Sequence, residues 1–359
     1  MNMSSLVVRN LDLNFLNSFN NVDDHSKLLE FVNELKGYTL SYIKEITDFK
    51  QKNWLISRIN DYMIYSGKMV RSSFFYIFVL GMVSGSFLEE EFWDKIFRLG
   101  AIFELAHSAT LVHDDILDGA RKRRGKPSVH IKFGIDGAII FGDILIISIL
   151  NRAYDVNPLY SKILMKALEN MCLGEVLQYQ NKYNVYLKDE EYFNILLLKT
   201  GVLFGAISNI GYHLGCDYSK TIFEYSTADY ISNLFNRYGV AFQIVDDILD
   251  YIQNEKVLKK DANNDLLTGR ITYPLILLMK DNENREKMKR IWLKNPSYFS
   301  TIITKELKNR KSLLEESLNK SKEFMDLNSL DYIAQKIGLK DVFKNSLKMI
   351  ISSLIHRQY

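Results

Sequence analysis

Two identical acidic segments are the part of this chain best suited to chemistry. Both read D-D-I-L-D and both lie in apolar sequence; they contribute Asp114, Asp115 and Asp118, and Asp246, Asp247 and Asp250. A buried charge costs free energy unless an opposite charge pairs with it. Mg²⁺ prefers carboxylates, waters and phosphate oxygens as ligands. The repeated segment therefore predicts a divalent metal that is shared with a phosphorylated ligand.

A helical conformation would turn each acidic segment toward one ligand. Residues four apart lie on the same face of an α-helix, so Asp114 points the same way as Asp118, and Asp246 the same way as Asp250. A single segment of this kind is more often a helix cap or a surface charge. Two identical copies in apolar sequence favour a metal site instead, and two facing copies could hold a diphosphate through bridging Mg²⁺.

Basic residues follow the first acidic segment. Arg123 and Arg124 belong to the run R-K-R-R-G-K, which begins shortly after Asp118. By itself such a run could be a targeting or nucleic-acid patch. Arginine binds phosphate through two N–H groups at once, so its place beside the aspartates predicts a phosphate-binding loop. A second basic pair, Lys68 and Arg71, follows a glycine and carries little weight alone.

The elements that must position these residues are helices. Apolar residues recur at steps of three and four, and no alternating strand pattern is convincing. The predicted helices cover 27–48, 53–65, 92–117, 136–150, 159–180, 189–214, 219–252 and 327–354. Residues 281–325 are expected to form solvated helices and loops at the periphery. We predict one all-α domain over 26–359, with 1–25 as a loosely ordered N-terminal extension.

Composition excludes several classes of function. A net charge of +3 over 359 residues argues against a general nucleic-acid binder. Cys172 and Cys216 lack metal-ligand spacing and are expected to be buried free thiols. The apolar stretches 73–87 and 138–150 are short for a bilayer, so no transmembrane segment is expected. The N-terminal residues resemble neither a good signal peptide nor a good transit peptide. The compartment stays open between the cytoplasm and a mitochondrion or plastid-like organelle.

The ordered motifs between about residues 67 and 274 resemble those of the trans-isoprenyl diphosphate synthases, the polyprenyl synthetase family. D-D-I-L-D followed by R-R-G resembles the first aspartate-rich motif of that family, and F-Q-x-x-D-D-x-x-D resembles the second. Further matches in order are His107, G-D at 142–143, G-E-x-x-Q at 174–178, K-T at 199–200 and D-x-x-x-G-R-x-T-x-P at 265–274. The resemblance implies the isoprenoid synthase fold, a bundle of roughly ten or more helices around a central cavity, and a homodimer.

The resemblance also implies a reaction, the head-to-tail (1′–4) condensation of isopentenyl diphosphate with an allylic diphosphate. The six aspartates would hold the allylic diphosphate through Mg²⁺, about three ions per active site. After ionisation, isopentenyl diphosphate attacks the allylic cation and a proton is lost. The residues implied for the leaving diphosphate are Arg123, Lys199 and Lys260. Those implied for isopentenyl diphosphate are Lys68, Arg71, His107 and Arg124. Those implied to line the reacting carbons are Thr200 and Gln243.

Two segments depart from the family pattern. Where the family reads G-G-K-x-x-R-P, this chain reads S-G-K-M-V-R-S over 66–72. Where Gly-Lys is expected after the second motif, it reads L-K-K over 258–260, which leaves the register of the lysine open by one residue. Both departures concern the affinity for substrate rather than the reaction.

Small residues precede the first acidic segment. Thr110, Ala109 and Ala106 lie four, five and eight residues before Asp114. At 1.5 Å per residue, Ala109 lies about 7.5 Å below the aspartate. Because no bulky aromatic blocks the tail there, we expect a product of C20 or longer. Phe103, about 16 Å down, is a candidate floor. Close helix packing is the alternative reason for small residues at these positions.

Three other functions are alternatives to a long-chain synthase. A farnesyl or geranylgeranyl diphosphate synthase shares the chemistry and differs in product length. A non-catalytic partner subunit of a hetero-oligomeric synthase should have lost carboxylates or basic residues, whereas all six aspartates, both arginines and Lys199 are present. A terpene cyclase needs no second diphosphate site, so the second acidic segment and the Lys68/Arg71 pair disfavour it.

Overall fold

A computed structural model describes residues 25–49, 53–63, 69–83, 88–252, 264–280 and 283–355, and these residues are largely helical. The elements in chain order are α1 (His25–Ile46), α2 (Trp54–Tyr62), α3 (Val70–Val83), α4 (Glu90–Leu117), β1 (Lys122–Arg123), β2 (Lys126–Pro127), α5 (Val129–Phe133), α6 (Ile135–Val156), α7 (Pro158–Gln180), α8 (Asp189–Leu196), a π-helix (Leu197–Gly201), α9 (Val202–Ser219), α10 (Tyr225–Ile252), α11 (Asn264–Leu267), α12 (Tyr273–Lys280), α13 (Arg285–Lys294), α14 (Pro296–Asn309), α15 (Lys311–Phe324), α16 (Leu327–Lys336) and α17 (Asp341–Ile355). The all-α prediction is confirmed.

Two Asn-Pro pairs begin helices with matching chemistry. The Asn157 side chain accepts a hydrogen bond from the Leu159 backbone N–H at 2.9 Å, and Pro158 is the first residue of α7. At the start of α14, the Asn295 side chain likewise accepts a hydrogen bond from the Tyr298 backbone N–H, and Pro296 is the first helical residue. Asparagine satisfies an N–H group that the first turn leaves unpaired, and proline at the first position loses no helical hydrogen bond.

Three expectations need correction. The predicted helix 327–354 is two helices, because the chain turns at Gly338, whose φ of +70° favours glycine. Residues 281–325 are more than a solvated periphery, since Trp292 and Phe299 are fully buried and stack with their ring centroids 4.5 Å apart. Cys172 is exposed rather than buried, whereas Cys216 is buried as expected.

Helix α4 runs through the main hydrophobic core. It packs against α1, α3 and α6, while α9 packs against α3 and α10. Most residues of α4 between Phe92 and Ala109 are buried, which explains why its apolar residues show little one-sided pattern. The helix has 28 residues and is about 42 Å long. It therefore carries the first acidic segment at one end and is held by the core along the rest.

One continuous helical stretch among the described residues, Asp189–Ser219, is long and apolar enough to cross a bilayer. About 56% of its most apolar part is buried inside the protein. The stretch carries Lys199 and Thr200 into a polar cavity described below. More than half of this part is buried, and the polar side chains of Lys199 and Thr200 line the cavity. The stretch is therefore a core helix of the protein.

Candidate active site

Both acidic segments face one cavity of about 510 Å³. Helix α4 contributes Asp114 and Asp118 to its wall, and α10 contributes Asp246 and Asp247. The basic residues on the wall are Arg71, Lys122, Arg123, Arg124, Lys199 and Arg270. The cavity thus brings together charges that lie up to about 200 residues apart in sequence, as the motif order predicted.

Two of the six candidate metal ligands lie off this cavity wall. Asp115 is buried and accepts a hydrogen bond from Nε of Arg123 at 2.9 Å. Asp250 is 2% exposed and does not line the cavity. Within the described residues, no group of three histidine, cysteine or carboxylate side chains is placed to hold a metal ion by itself. Four of the six candidate ligands, Asp114, Asp118, Asp246 and Asp247, therefore line the cavity, and Asp115 pairs with Arg123 instead.

The basic loop is a hairpin whose tip aims two arginines at the cavity. Strands β1 and β2 pair antiparallel, and the two residues between them, Arg124 and Gly125, both have positive φ, of 51° and 79°. Two-residue hairpin turns of this kind match the twist of the strands and favour glycine. The turn lies directly after α4, so Arg123 and Arg124 are fixed beside the first acidic segment. Lys68 and Lys260 lie outside the described residues.

Lys199 and Thr200 lie on the π-helix, where the α-helical hydrogen-bond pattern is interrupted. Single π-turns inside helices recur at functional sites. A Cβ atom on Gly239 would lie 2.7 Å from the Gly201 Cα, and one on Gly174 would lie 2.8 Å from the Lys199 backbone nitrogen. Any side chain at position 174 or 239 would clash with the π-helix backbone, so only glycine fits there. Helices α7 and α10 therefore approach the π-helix closely, and Gln178 and Gln243 on them contact Lys199 and Thr200.

Neutral dipoles connect the π-helix to the second acidic segment. The Thr200 hydroxyl donates to Gln243 Oε1 at 3.1 Å, and Gln243 Nε2 donates to Asp247 Oδ1 at 3.1 Å. The Tyr192 hydroxyl donates to the other Asp247 oxygen at 2.6 Å. Lys199 forms an ion pair of 2.5 Å with Glu175. Both candidate catalytic dipoles are thereby fixed on the cavity wall.

Arg270 is a site residue that the motifs included but did not single out. Its guanidinium contacts Asp118 and lies 3.4 Å from Asp265 and 3.9 Å from Glu175. It therefore joins α4, α7 and the segment before α12. Tyr192 was missed as well, because a tyrosine in an apolar helix resembles any core aromatic.

Burial dominates the electrostatics of the site. It raises the pKa of Asp114, that of Asp118 to about 6 and that of Asp247 to about 7, because few water molecules remain to solvate the charged forms. It lowers the pKa of His107 well below the usual value, and Arg71, Arg124 and Arg123 add to the effect. At neutral pH His107 is uncharged. Arg71 is 8% exposed, and its Nε has no hydrogen-bond partner among the described residues.

The residues considered for chain length divide between wall and core. Thr110 lines the cavity with His107 and Leu111, whereas Ala109 is fully buried. Phe103 is also fully buried, against Phe75 with ring centroids 4.9 Å apart. Ala106 is fully buried too. Of the four candidate residues, only Thr110 therefore lines the cavity, while Ala109 packs in the core.

Comparison with known proteins gives consistent matches. The family model described as polyprenyl synthetase matches residues 53–305. The heptaprenyl diphosphate synthase component 2 of Bacillus subtilis is 30% identical, with 74% of each chain covered. The geranylgeranyl diphosphate synthase of Sulfolobus acidocaldarius is also 30% identical, over 74% of this chain and 81% of that protein. A polyprenyl synthase from Caulobacter crescentus, crystallised with calcium and isoprenyl diphosphate, superposes with a TM-score of 0.80 at 22% identity, covering 93% of this chain and 98% of that one.

Proposed function

This chain belongs to the polyprenyl synthetase family of prenyl transferases, and from that premise we propose that it joins isopentenyl diphosphate to an allylic diphosphate, head to tail, giving products of C20 or longer. The observation that carries the proposal is the shared cavity, where both acidic segments and six basic side chains meet. Relatives include both a geranylgeranyl and a heptaprenyl diphosphate synthase, so the family alone leaves product length open.

Four of the aspartates on the cavity wall fit Mg²⁺. Burial raises the pKa of three of them, Asp114, Asp118 and Asp247, so a cation beside them would stabilise their charged forms. Mg²⁺ binds through one or two carboxylates together with waters and phosphate oxygens, and does not require a cage of protein ligands. Asp114, Asp118, Asp246 and Asp247 would hold it, and it would neutralise the charge of the leaving diphosphate. The number of ions, about three, is carried by the family resemblance.

The basic residues stabilise the leaving diphosphate. Separating an allylic cation from a diphosphate is the difficult step, so fixed positive charge on the anion lowers the barrier. Lys199 is held by Glu175 and by Gln178, whose Oε1 accepts its hydrogen bond at 3.0 Å. Arg123 is held by Asp115. Both cations are therefore oriented before the substrate arrives, and little reorganisation accompanies the reaction.

Thr200 and Gln243 present dipoles without full charge to the reacting carbons. Their oxygens are linked by a hydrogen bond and lie on the wall between the two acidic segments. An oxygen dipole stabilises the allylic cation by electrostatics, while a hydroxyl or amide captures a carbocation less readily than a carboxylate does. The proton released after attack is assigned to the departed diphosphate.

Isopentenyl diphosphate binds beside Arg71, Arg124 and His107. The Arg71 guanidinium lies 5.3 Å from the centre of the Phe204 ring, and its Nε is available to a phosphate oxygen. His107 is neutral, so it can donate one hydrogen bond without adding charge. The two arginines supply positive charge to a second diphosphate, which suits binding without a metal of its own.

A dimer is proposed from an exposed apolar surface. Ile139, Ile140 and Ile147 on α6 and Leu173 and Val176 on α7 are each between 41% and 59% exposed. Contiguous exposed apolar residues mark interfaces, and the two helices pack side by side. We propose a homodimer through this face. Replacing Ile140 by Glu should yield monomers in light scattering, and a wild-type protein that is monomeric at micromolar concentration would contradict the proposal.

Product analysis tests the proposed function. Purified protein with Mg²⁺ and isopentenyl diphosphate is supplied separately with dimethylallyl, geranyl and farnesyl diphosphates, and products are measured by mass spectrometry. The proposal predicts primer-dependent products of C20 or longer. Only a C15 product from dimethylallyl diphosphate would overturn the length, and no product from any primer would overturn the reaction and favour a non-catalytic subunit.

A further inference from the structure

We propose that Glu104 is a positioning residue for isopentenyl diphosphate, because it holds the first turn of α3 and thereby aims Arg71 into the cavity. The inference rests on the proposed function, which assigns Arg71 to that substrate. Glu104 lies on α4, ten residues before Asp114, and is only 7% exposed. A buried carboxylate is expensive unless it is paired, so its contacts indicate its role.

Glu104 caps α3 from a neighbouring helix. Its Oε1 accepts hydrogen bonds from the Ser72 backbone N–H at 2.9 Å and from the Ser72 hydroxyl at 3.1 Å. Helix α3 begins at Val70, so this N–H lies in the first turn, where no helical carbonyl is available. The helix dipole also favours a negative charge at this end. Arg71 is the residue directly before the capped one.

The junction before α3 needs such a restraint. Met69 has a φ of +47°, a left-handed conformation that is unfavourable for a residue with a side chain. Its carbonyl oxygen accepts hydrogen bonds from the Ser72 hydroxyl at 3.1 Å and from the Ser73 hydroxyl at 2.7 Å. Strained backbone persists where surrounding contacts fix it, and it is concentrated at binding sites. Here the contacts converge on the turn that carries Arg71.

The departure of this chain from the family motif explains why the cap is needed. Where the motif ends in Arg-Pro, this chain has Arg71 and Ser72. Proline fixes its own φ and lacks an N–H, and both properties suit the first turn of a helix. Serine leaves φ free and exposes an N–H. The hydrogen bonds to Glu104 supply the restraint that the proline ring would otherwise provide.

The charge of Glu104 acts on both arginines of this subsite. Burial lowers the pKa of Arg71 and of Arg124, and the Glu104 carboxylate opposes this in each case. A carboxylate that merely lay near a bound diphosphate would repel it, and its removal would strengthen binding. A carboxylate that positions the arginines has the opposite effect, so the sign of the change separates the two roles.

The experiment uses the full chain with Glu104→Met, which keeps the length of the side chain and removes the oxygen that accepts the two hydrogen bonds from Ser72. Isopentenyl diphosphate alone has no allylic partner, so its binding can be measured by calorimetry without turnover. We expect its Kd and its KM to rise about ten-fold, equal to about 1.4 kcal/mol. The KM of the allylic diphosphate should change by less than about two-fold, because that substrate binds at the aspartates.

Ser72→Pro supplies the matched background. In that background the cap no longer exists, so Glu104→Met should weaken isopentenyl diphosphate binding by less than about three-fold. Unchanged or tighter binding by Glu104→Met, an equal loss in both backgrounds, or an equal rise in both KM values would overturn the inference. A wild-type protein that turns over no primer would overturn the proposed function instead, and calorimetry would still decide the role of Glu104. A wild-type protein that binds no isopentenyl diphosphate would overturn both.

Discussion

Removal of the Arg270 charge should destabilise the metal-free protein more than removal of an exposed cation. Arg270 contacts three carboxylates from three separate segments, Asp118, Glu175 and Asp265, and its side chain is 17% exposed. Arg270→Met keeps most of the stem and leaves these carboxylates facing one another. Taking one partner from a buried ion pair costs about 3 to 5 kcal/mol, and partial exposure places this case near the lower value.

The free energy of unfolding is measured by urea denaturation with chelator at pH 7.5. The control is Lys280→Met, since Lys280 pairs with Asp189 at 2.7 Å but is 48% exposed, and such pairs contribute about 0 to 1 kcal/mol. Mg²⁺ should restore part of the loss in Arg270→Met relative to wild type, because it supplies positive charge to the same carboxylates, and should leave the loss in the control relative to wild type unchanged. Equal losses in the two variants would refute the reasoning.

Three further predictions follow from the cavity. Thr110→Phe should shorten the product because Thr110 lines the cavity, whereas Ala109→Phe should mainly lower stability by about 1 to 3 kcal/mol through overpacking, as product mass spectrometry and thermal unfolding would show. The reverse pattern would contradict the assigned wall. The folded-state pKa values of Asp118 and Asp247, about 6 and about 7, exceed those of the unfolded chain. The stability that these two groups contribute is therefore full below about pH 4 and is lost as pH rises through 6 and 7; metal-free Asp118→Asn should show a weaker fall in Tm over this range, and an identical slope would contradict the pKa shift. Lys199→Met should lower kcat about 10²-fold with a smaller change in KM, because its charge acts on the leaving diphosphate; a change in KM alone would indicate a ground-state contact.

Motif spacing predicted the elements that carry the site because a helical face is a local property. Asp114 and Asp118 share the cavity wall as their four-residue spacing requires. The second segment behaves differently: Asp247 lines the cavity and Asp250 does not. Which face of α10 meets the cavity depends on how α10 crosses the π-helix at Gly239, and no pattern within the segment records that crossing.

Other residues were hidden because their roles arise from tertiary contacts. Arg270 lies in the sequence far from Asp118, which it contacts, and Tyr192 meets Asp247 across two helices. Glu104 lies in an apolar run and obtains its role only from the N-terminus of α3. The one local indication of this role was Ser72, which stands where the family motif has proline. Charge in a buried helix without a nearby partner in sequence is thus a sign of a contact still to be found.

The proposed reaction requires both aspartate segments to act on one diphosphate in one cavity. The most direct test is the initial rate of condensation of isopentenyl diphosphate with an allylic diphosphate, titrated with Mg²⁺, for wild type and Asp246→Asn. We expect Mg²⁺-dependent turnover by wild type and a loss of about 10²-fold or more in the variant, although Asp114 and Asp118 remain. Turnover by the variant at the wild-type rate, with the same Mg²⁺ dependence, would contradict this expectation.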